Sequence, residues 1–306
     1  MAPDMAPDND SVSLWHFPMM NDSARNEGYE RALASALKSN EQSGRKTVLE
    51  IGTGAGLLSL MAARHGALKV VTFEGVPVIA RKAKQIIQRN GYADRIQVIE
   101  GLSTSYQVGR DLPGNLPERF DVLVTEIFDD GLLGEGAFKA IKHAKEHLLK
   151  PGAQLIPARV RVMAIGIESQ EIFNNYRVSE VAGFDVREFN EFTLDDYVGI
   201  HLDKMAYRAL TRPTPVFSFD FDHLPGPQSI PLDLAVTTPG TLHAIALWFE
   251  LCLDENTMIT TGPGLSKLSS WKQAIHLIDY EEPFRAGETI SLQAHHDETA
   301  IWFERR

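Results

Sequence analysis

The chain has 306 residues, 43% hydrophobic and 23% charged, an ordinary globular composition at a length where one core rarely suffices, so two structural units sharing an interface are expected. Its 30 basic against 41 acidic residues give a formal charge of -11, which argues against a phosphate-backbone partner and suits a cationic one. One cysteine, Cys252, excludes an intrachain disulfide and a cysteine-built zinc site; no basic-then-apolar leader opens the sequence, no apolar run approaches the roughly 20 residues a bilayer demands, and a cytoplasmic protein is expected.

Residues 1–14, with Met-Ala-Pro-Asp written twice, read as a flexible tail, and 15–45 as an N-terminal helical segment. Within it, Tyr29, Leu33, Ala36 and Leu37 fall on one face of a helix from Asp22 to Leu37, followed by a polar break from Lys38 to Lys46. A strand from Thr47 to Ile51 runs through three glycines into a helix from Leu57 to His65, with Gly66 as its C-terminal cap. Lys69–Phe73 is a second buried strand ending at Glu74. Pro77 then opens a helix whose core face is Val78, Ile79, Ala83, Ile86 and Ile87, and Gly91 ends it. Arg95–Ile99 and Asp121–Thr125 repeat the strand signal. The alternation over 46–158 predicts an α/β unit, an open and mainly parallel sheet with helices on both faces.

From Arg159 the period changes. Val160, Val162 and Ala164 alternate with Arg161 and Met163, Phe217, Phe219 and Phe221 with polar residues, and Leu242–Leu251 reads alike. Period two without intervening helices predicts an antiparallel β unit over 159–306, interrupted by a charge-rich excursion at about 183–212. His295-His296-Asp297 reads as structural, because neighbours on a strand point to opposite faces; no metal is expected.

The strand-to-helix turn carries Gly52, Gly54 and Gly56, which let the backbone bend sharply and approach a ligand without a Cβ clash. A dinucleotide fingerprint needs glycine where Leu57 stands, and Glu50 just before the turn would repel a diphosphate while meeting an amino group. Glu74, ending the next strand, suits two ribose hydroxyls. These acids point to an adenosyl cofactor bearing an amino acid, S-adenosyl-L-methionine. Downstream, Glu126 ends an apolar strand and Glu135 follows nine residues later. A guanidinium is planar, permanently charged and a poor nucleophile. Paired carboxylates match its donors, hold the charge on its far nitrogens and orient the near one for methyl transfer.

Val48-Leu49-Glu50-Ile51-Gly52-Thr53-Gly54-Ala55-Gly56, Val70-Val71-Thr72-Phe73-Glu74, Thr125-Glu126-Ile127-Phe128-Asp129-Asp130-Gly131-Leu132-Leu133-Gly134-Glu135-Gly136 and Leu149-Lys150-Pro151-Gly152-Ala153-Gln154-Leu155-Ile156-Pro157 together resemble the protein arginine methyltransferase family. Members with the Glu-Leu/Ile-Phe-Asp loop, monomethylating ones among them, look most similar. The resemblance covers about residues 15–306. It implies a class I methyltransferase (Rossmann-like) sheet followed by an antiparallel β-barrel with a dimerisation arm at 183–212, hence a homodimer. The substrate would be arginine, in a protein or free, with monomethylarginine as the product. Residues 19–29, from Met19 to Tyr29, resemble the family's cofactor-closing helix. By that match Arg25 would pair with the cofactor carboxylate and Met19 would pack beside the transferred methyl, while Tyr29, Asp129 and Trp271 would serve the substrate side. Ser269-Ser270-Trp271 stands where the family usually has Thr-His-Trp, so Ser270 replaces a histidine that pairs with the aspartate matching Asp22. That departure leaves a catalytically weakened, arginine-binding relative as the rival reading.

Overall fold

The computed structural model describes residues 12–38, 44–109, 116–193, 197–265 and 270–306. Most of the expected tail, the middle of the polar break and Ser269 lie outside the described residues. A short helix, α1 (His16–Met20), leads into α2 (Ser23–Ala36), which is capped where Asp22 accepts the Arg25 amide at 3.1 Å. Arg25, Gly28, Tyr29, Ala32, Leu33 and Ala36 form its buried stripe at helical spacing. Gly28 allows a close approach: a Cβ there would lie 2.9 Å from Ile259 and 3.3 Å from Leu253, both in the later β unit.

The first unit runs β1 (Thr47–Ile51), α3 (Leu57–Arg64), β2 (Lys69–Glu74), α4 (Pro77–Arg89), β3 (Ile96–Glu100), β4 (Phe120–Thr125), α5 (Ala137–His147) and β5 (Leu149–Ile156). Its sheet is parallel throughout, in the order β3-β2-β1-β4-β5. β1 is buried along its whole length, as a strand covered on both faces must be. The order reverses between β1 and β4, so their carboxyl ends open a crevice at the switch point. The glycine turn leaves β1 there and Glu126 leaves β4.

The second unit contains β6 (Arg159–Glu168), α6 (Gln170–Tyr176), β7 (Glu180–Val181), β8 (Phe184–Asp185), β9 (Val198–Ile200), β10 (Arg208–Ala209), β11 (Thr214–Asp220), β12 (Gln228–Ala235), β13 (Gly240–Cys252), β14 (Met258–Thr260), β15 (Gln273–Phe284), β16 (Thr289–His296) and β17 (Ile301–Arg305). A seven-stranded antiparallel sheet with the path β10-β6-β13-β15-β9 faces the three-stranded β12-β16-β17. The fold is the Rossmann-like sheet joined to an antiparallel β-barrel that the motifs imply. The excursion from it is displaced relative to the expected 183–212: the chain leaves the sheet after Glu168 and rejoins it at Val198, because β9 finds β15 and β10 finds β6. Those ladders join residues far apart in sequence. Met163, expected on the outer face, is buried with Ile165 and Ile167 because Ile172 of α6 and Leu202 fold back over that side of the sheet. His295 stacks on Trp302 at 5.2 Å, while His296 sits buried against Phe217 and Phe219.

One continuous core spans both units. Phe138 of α5, fully buried, meets Phe219 edge-on at 4.8 Å and Phe221 at 6.2 Å. Replacing Phe138 with Ala should cost about 3–5 kcal/mol through lost transfer energy and a cavity at the junction. Calorimetry should show one lowered transition, since the cavity faces both units at once.

Candidate active site

The turn after β1 holds Gly52, Gly54 and Gly56 at φ of 88°, 51° and 81°, the left-handed region that suits glycine. A Cβ on Gly52 would approach the Ile127 side chain to 2.5 Å, whereas one on Gly54 would meet nothing within 4 Å, so Gly54 borders an open cradle. The Glu74 carboxylate spans that cradle, accepting the Gly54 amide at 2.9 Å and the Val76 amide at 2.9 Å. Its remaining lone pairs suit two hydroxyls. Glu50 is 1% exposed and accepts the hydroxyl of Ser59 on α3. Burial, with the like charge of Glu74 adding, pushes its carboxyl up to about 7.

Across the crevice, Glu126 accepts Nη2 of Arg25 in an ion pair whose side chains are each 6% exposed. The Arg25 guanidinium lies 5.8 Å from the ring centroids of both Tyr29 and Trp271, and its Nη1 donates to the Met19 carbonyl at 3.3 Å and to Asn26 Oδ1 at 3.4 Å. Its Nε is buried without a hydrogen-bond partner among the described residues. The structure therefore joins Arg25 to Glu126, an anion at contact distance. The orphaned Nε is the donor that a cofactor carboxylate would find. With the Gly54 cradle and the Glu74 lone pairs, these residues could hold S-adenosylmethionine: Glu74 would suit the ribose hydroxyls and Arg25 the carboxylate. Burial raises the Glu126 carboxyl, and Arg25 opposes that rise.

Glu135 stands at the solvent-facing mouth with protein crowding its carboxyl from the inner side. That crowding first, then the charges of Glu126, Asp129 and Asp130, push it up to about 7. The charge of Glu126 is therefore felt at Glu135. The loop between them is enforced by packing: Leu132 is fully buried at φ 78°, a conformation costing a leucine about 1–3 kcal/mol. Asp129 is turned into the loop, accepting the Gly134 amide at 3.0 Å and the Tyr197 hydroxyl at 2.7 Å. Asp130 accepts the Lys272 amide at 2.8 Å. Tyr29 is fully buried with its hydroxyl on the Thr125 carbonyl at 3.2 Å, so it supports Arg25 from behind and exposes no surface to the mouth. Trp271 donates Nε1 to the Phe128 carbonyl at 2.9 Å, fastening the loop to the β unit.

Ser270 takes over the aspartate contact: its amide and its hydroxyl each reach Asp22 Oδ2 at 3.0 Å. Sequence reasoning missed Tyr197, Asn26 and Ser59. Only Ser59 left a signal, a hydroxyl two residues into the helix that follows the glycine turn.

The fold defines a class I methyltransferase with a crevice at the switch point of its sheet. Residues 159–305 match the arginine methyltransferase oligomerization subdomain, and residues 32–156 match the ribosomal protein L11 methyltransferase family. The arginine N(omega)-methyltransferase of Streptomyces achromogenes subsp. streptozoticus is 37% identical over 284 residues, covering 92% of this chain and 76% of that protein. Protein arginine N-methyltransferase 7 of Danio rerio is 31% identical over 307 residues, 93% of this chain but 45% of that protein, so the chain spans about half of that relative. The Trypanosoma brucei PRMT1 enzyme-prozyme heterotetrameric complex with AdoHcy shares the fold at a TM-score of 0.79 and 24% identity, over 94% of this chain and 89% of that one. The chain belongs to the arginine methyltransferase family, enzymes that take their methyl group from S-adenosylmethionine.

Glu50 links this site to stability. Its carboxyl is raised in the folded state, so its contribution is full below the unfolded value near 4.5 and is lost as pH climbs through about 7. Glu50→Gln, neutral at every pH and still able to accept from Ser59, should melt above wild type at pH 8 and close to it at pH 5. Thermal melts across that range should show the gap widening with pH; a constant gap would mean that ionisation at Glu50 is not the cause.

Proposed function

We propose that the protein methylates a guanidino nitrogen of arginine, in a polypeptide or as the free amino acid, and yields chiefly monomethylarginine. The observation that carries this is the Glu126 carboxylate already holding a guanidinium, that of Arg25, between two aromatic rings. Arg25 uses Oε2, so Oε1 remains for a substrate nitrogen. Glu135 supplies the second acceptor. S-adenosylmethionine, when bound, supplies an electrophilic methyl on a sulfonium. The carboxylates would keep the positive charge on the guanidino nitrogens they touch and leave the facing nitrogen its electron pair, free to take the methyl that the cofactor would supply. The proton that this nitrogen sheds passes to Glu135, whose carboxyl near 7 can both accept and release it. Limiting the enzyme to one transfer follows from the crowded acid: a methylated guanidinium has one donor fewer and leaves a carboxylate lone pair unmatched.

Incubation with S-adenosylmethionine and either free L-arginine or an arginine-glycine peptide, followed by mass spectrometry, tests the activity and separates the two substrate classes. Glu126→Gln and Glu135→Gln should each lower turnover by about two orders of magnitude, and Glu135→Gln should leave the thermal shift produced by S-adenosylhomocysteine little changed. Near-normal turnover in both variants would remove the clamp; binding of arginine without product would leave only an arginine-binding role.

The protein works as a homodimer in the cytoplasm. Supporting the first, the excursion between β6 and β9 exposes Val181, Phe184, Phe189 and Phe192, the last at 82%, a cluster of large apolar side chains that a second copy would cover. Supporting the second is the lone Cys252, and no helix among the described residues is long and apolar enough to cross a membrane. Replacing Phe184 and Phe192 together with Asp should convert the dimer to monomer in light scattering coupled to gel filtration. An unchanged mass would move the interface elsewhere.

A further inference from the structure

We infer that Tyr197 is a positioning residue that reaches from the returning end of the excursion to the glutamate loop, pins Asp129 and so sets the charge that Glu135 faces. The inference rests on the arginine methyl-transfer reading above. Tyr197 immediately precedes β9, and β9 is fixed by its ladder with β15, where Gln273 faces Ile200 and Ala274 faces Gly199. Its ring packs closely against Gly131: a Cβ there would come within 2.5 Å of the ring's Cε1 and 3.1 Å of its Cζ. Its hydroxyl donates to Asp129 Oδ2 at 2.7 Å, and Asp129 Oδ1 takes the Gly134 amide at 3.0 Å, one residue before Glu135. Two residues along, Gly199 leaves space for the Asp130 carboxylate, which a Cβ would strike. The two aspartates of the loop are therefore both gripped by the β unit. Burial and the nearby aspartates hold the Tyr197 phenol in its protonated, donating form.

The charges of Glu126, Asp129 and Asp130 raise the Glu135 carboxyl and that of Arg25 lowers it. Behind them Lys272 and His201 face Asp130, and Asp22 faces Glu126. Of these, Asp129 alone is held by Tyr197. The phenol's positive hydrogen offsets part of the Asp129 charge, which moderates the field at Glu135 and lets it ionise for a guanidinium. Tyr197→Phe keeps the ring on Gly131 and removes only the donor.

The test is the pH profile of kcat/KM for wild type, Tyr197→Phe, Asp129→Asn and the double variant, with whichever of free L-arginine or the arginine-glycine peptide wild type turns over. The rising limb should move up by about half a pH unit in Tyr197→Phe, because Asp129 then faces Glu135 less compensated, and should move down in Asp129→Asn, because the charge is gone. The double variant should match Asp129→Asn, since Tyr197 acts through that carboxylate. A merely structural role would lower Tm and leave the limb in place. A wild-type limb in Tyr197→Phe, or additive shifts in the double variant, would overturn the inference. If wild type methylates neither substrate, the reading of the activity fails and the inference is still decided: carbon-13 carboxyl NMR titration of Glu135 in the same four proteins must show the same signs.

Discussion

A carboxylate at the end of a buried parallel strand is the constraint around which this molecule is arranged. Glu126 leaves β4 at the switch point of the sheet, with a side chain 6% exposed. Desolvating such a charge costs several kcal/mol unless a cation meets it with good geometry. Arg25 meets it, and that requires α2 to be pressed against the crevice. The Asp22 cap, the Gly28 contact with Ile259 and Leu253, and the buried Tyr29 all serve that placement.

The crevice is completed by the β unit. Ser270 holds Asp22, Trp271 holds the Phe128 carbonyl and Lys272 holds Asp130, three consecutive residues that fasten the N-terminal helix and the glutamate loop to the β unit. Each of these contacts pairs a polar group that would otherwise be left unsatisfied in a partly closed site. The serine where the family usually carries histidine is therefore integrated into the contact. It makes that contact with a group that does not titrate near neutral pH, so the carboxylates are left as the groups that respond to protons there.

The chain carries an acid surplus, -11 in formal charge, and two of its carboxylates near the crevice are strongly perturbed. Glu50 and Glu135 are both pushed up to about 7, with desolvation the largest cause for each: Glu50 is sealed under the turn, and at Glu135 the charges of Glu126, Asp129 and Asp130 add to it. The first makes folding sensitive to pH. A single cation entering the mouth relieves the like-charge repulsion among Glu126, Asp129, Asp130 and Glu135 at once, which favours a guanidinium over a neutral ligand.

The sequence by itself determined what depends on short-range pattern. The strand and helix periods, the Gly52-Gly54-Gly56 turn and the acids at strand ends were legible because chain direction and pleat dictate where such residues must emerge. The family likeness was legible in the same short motifs. The tertiary structure alone decided who partners whom. Arg25 on Glu126, Tyr197 on Asp129 and Ser270 on Asp22 join residues 101, 68 and 248 positions apart, and no local period encodes such pairings. The excursion's true limits and the burial of Met163 were hidden for the same reason, because ladder pairing and the fold-back of α6 are long-range events. Burial and electrostatic field are properties of assembled surfaces, so which carboxylates are raised, and which donor is left orphaned, came into being only when the two units closed on each other.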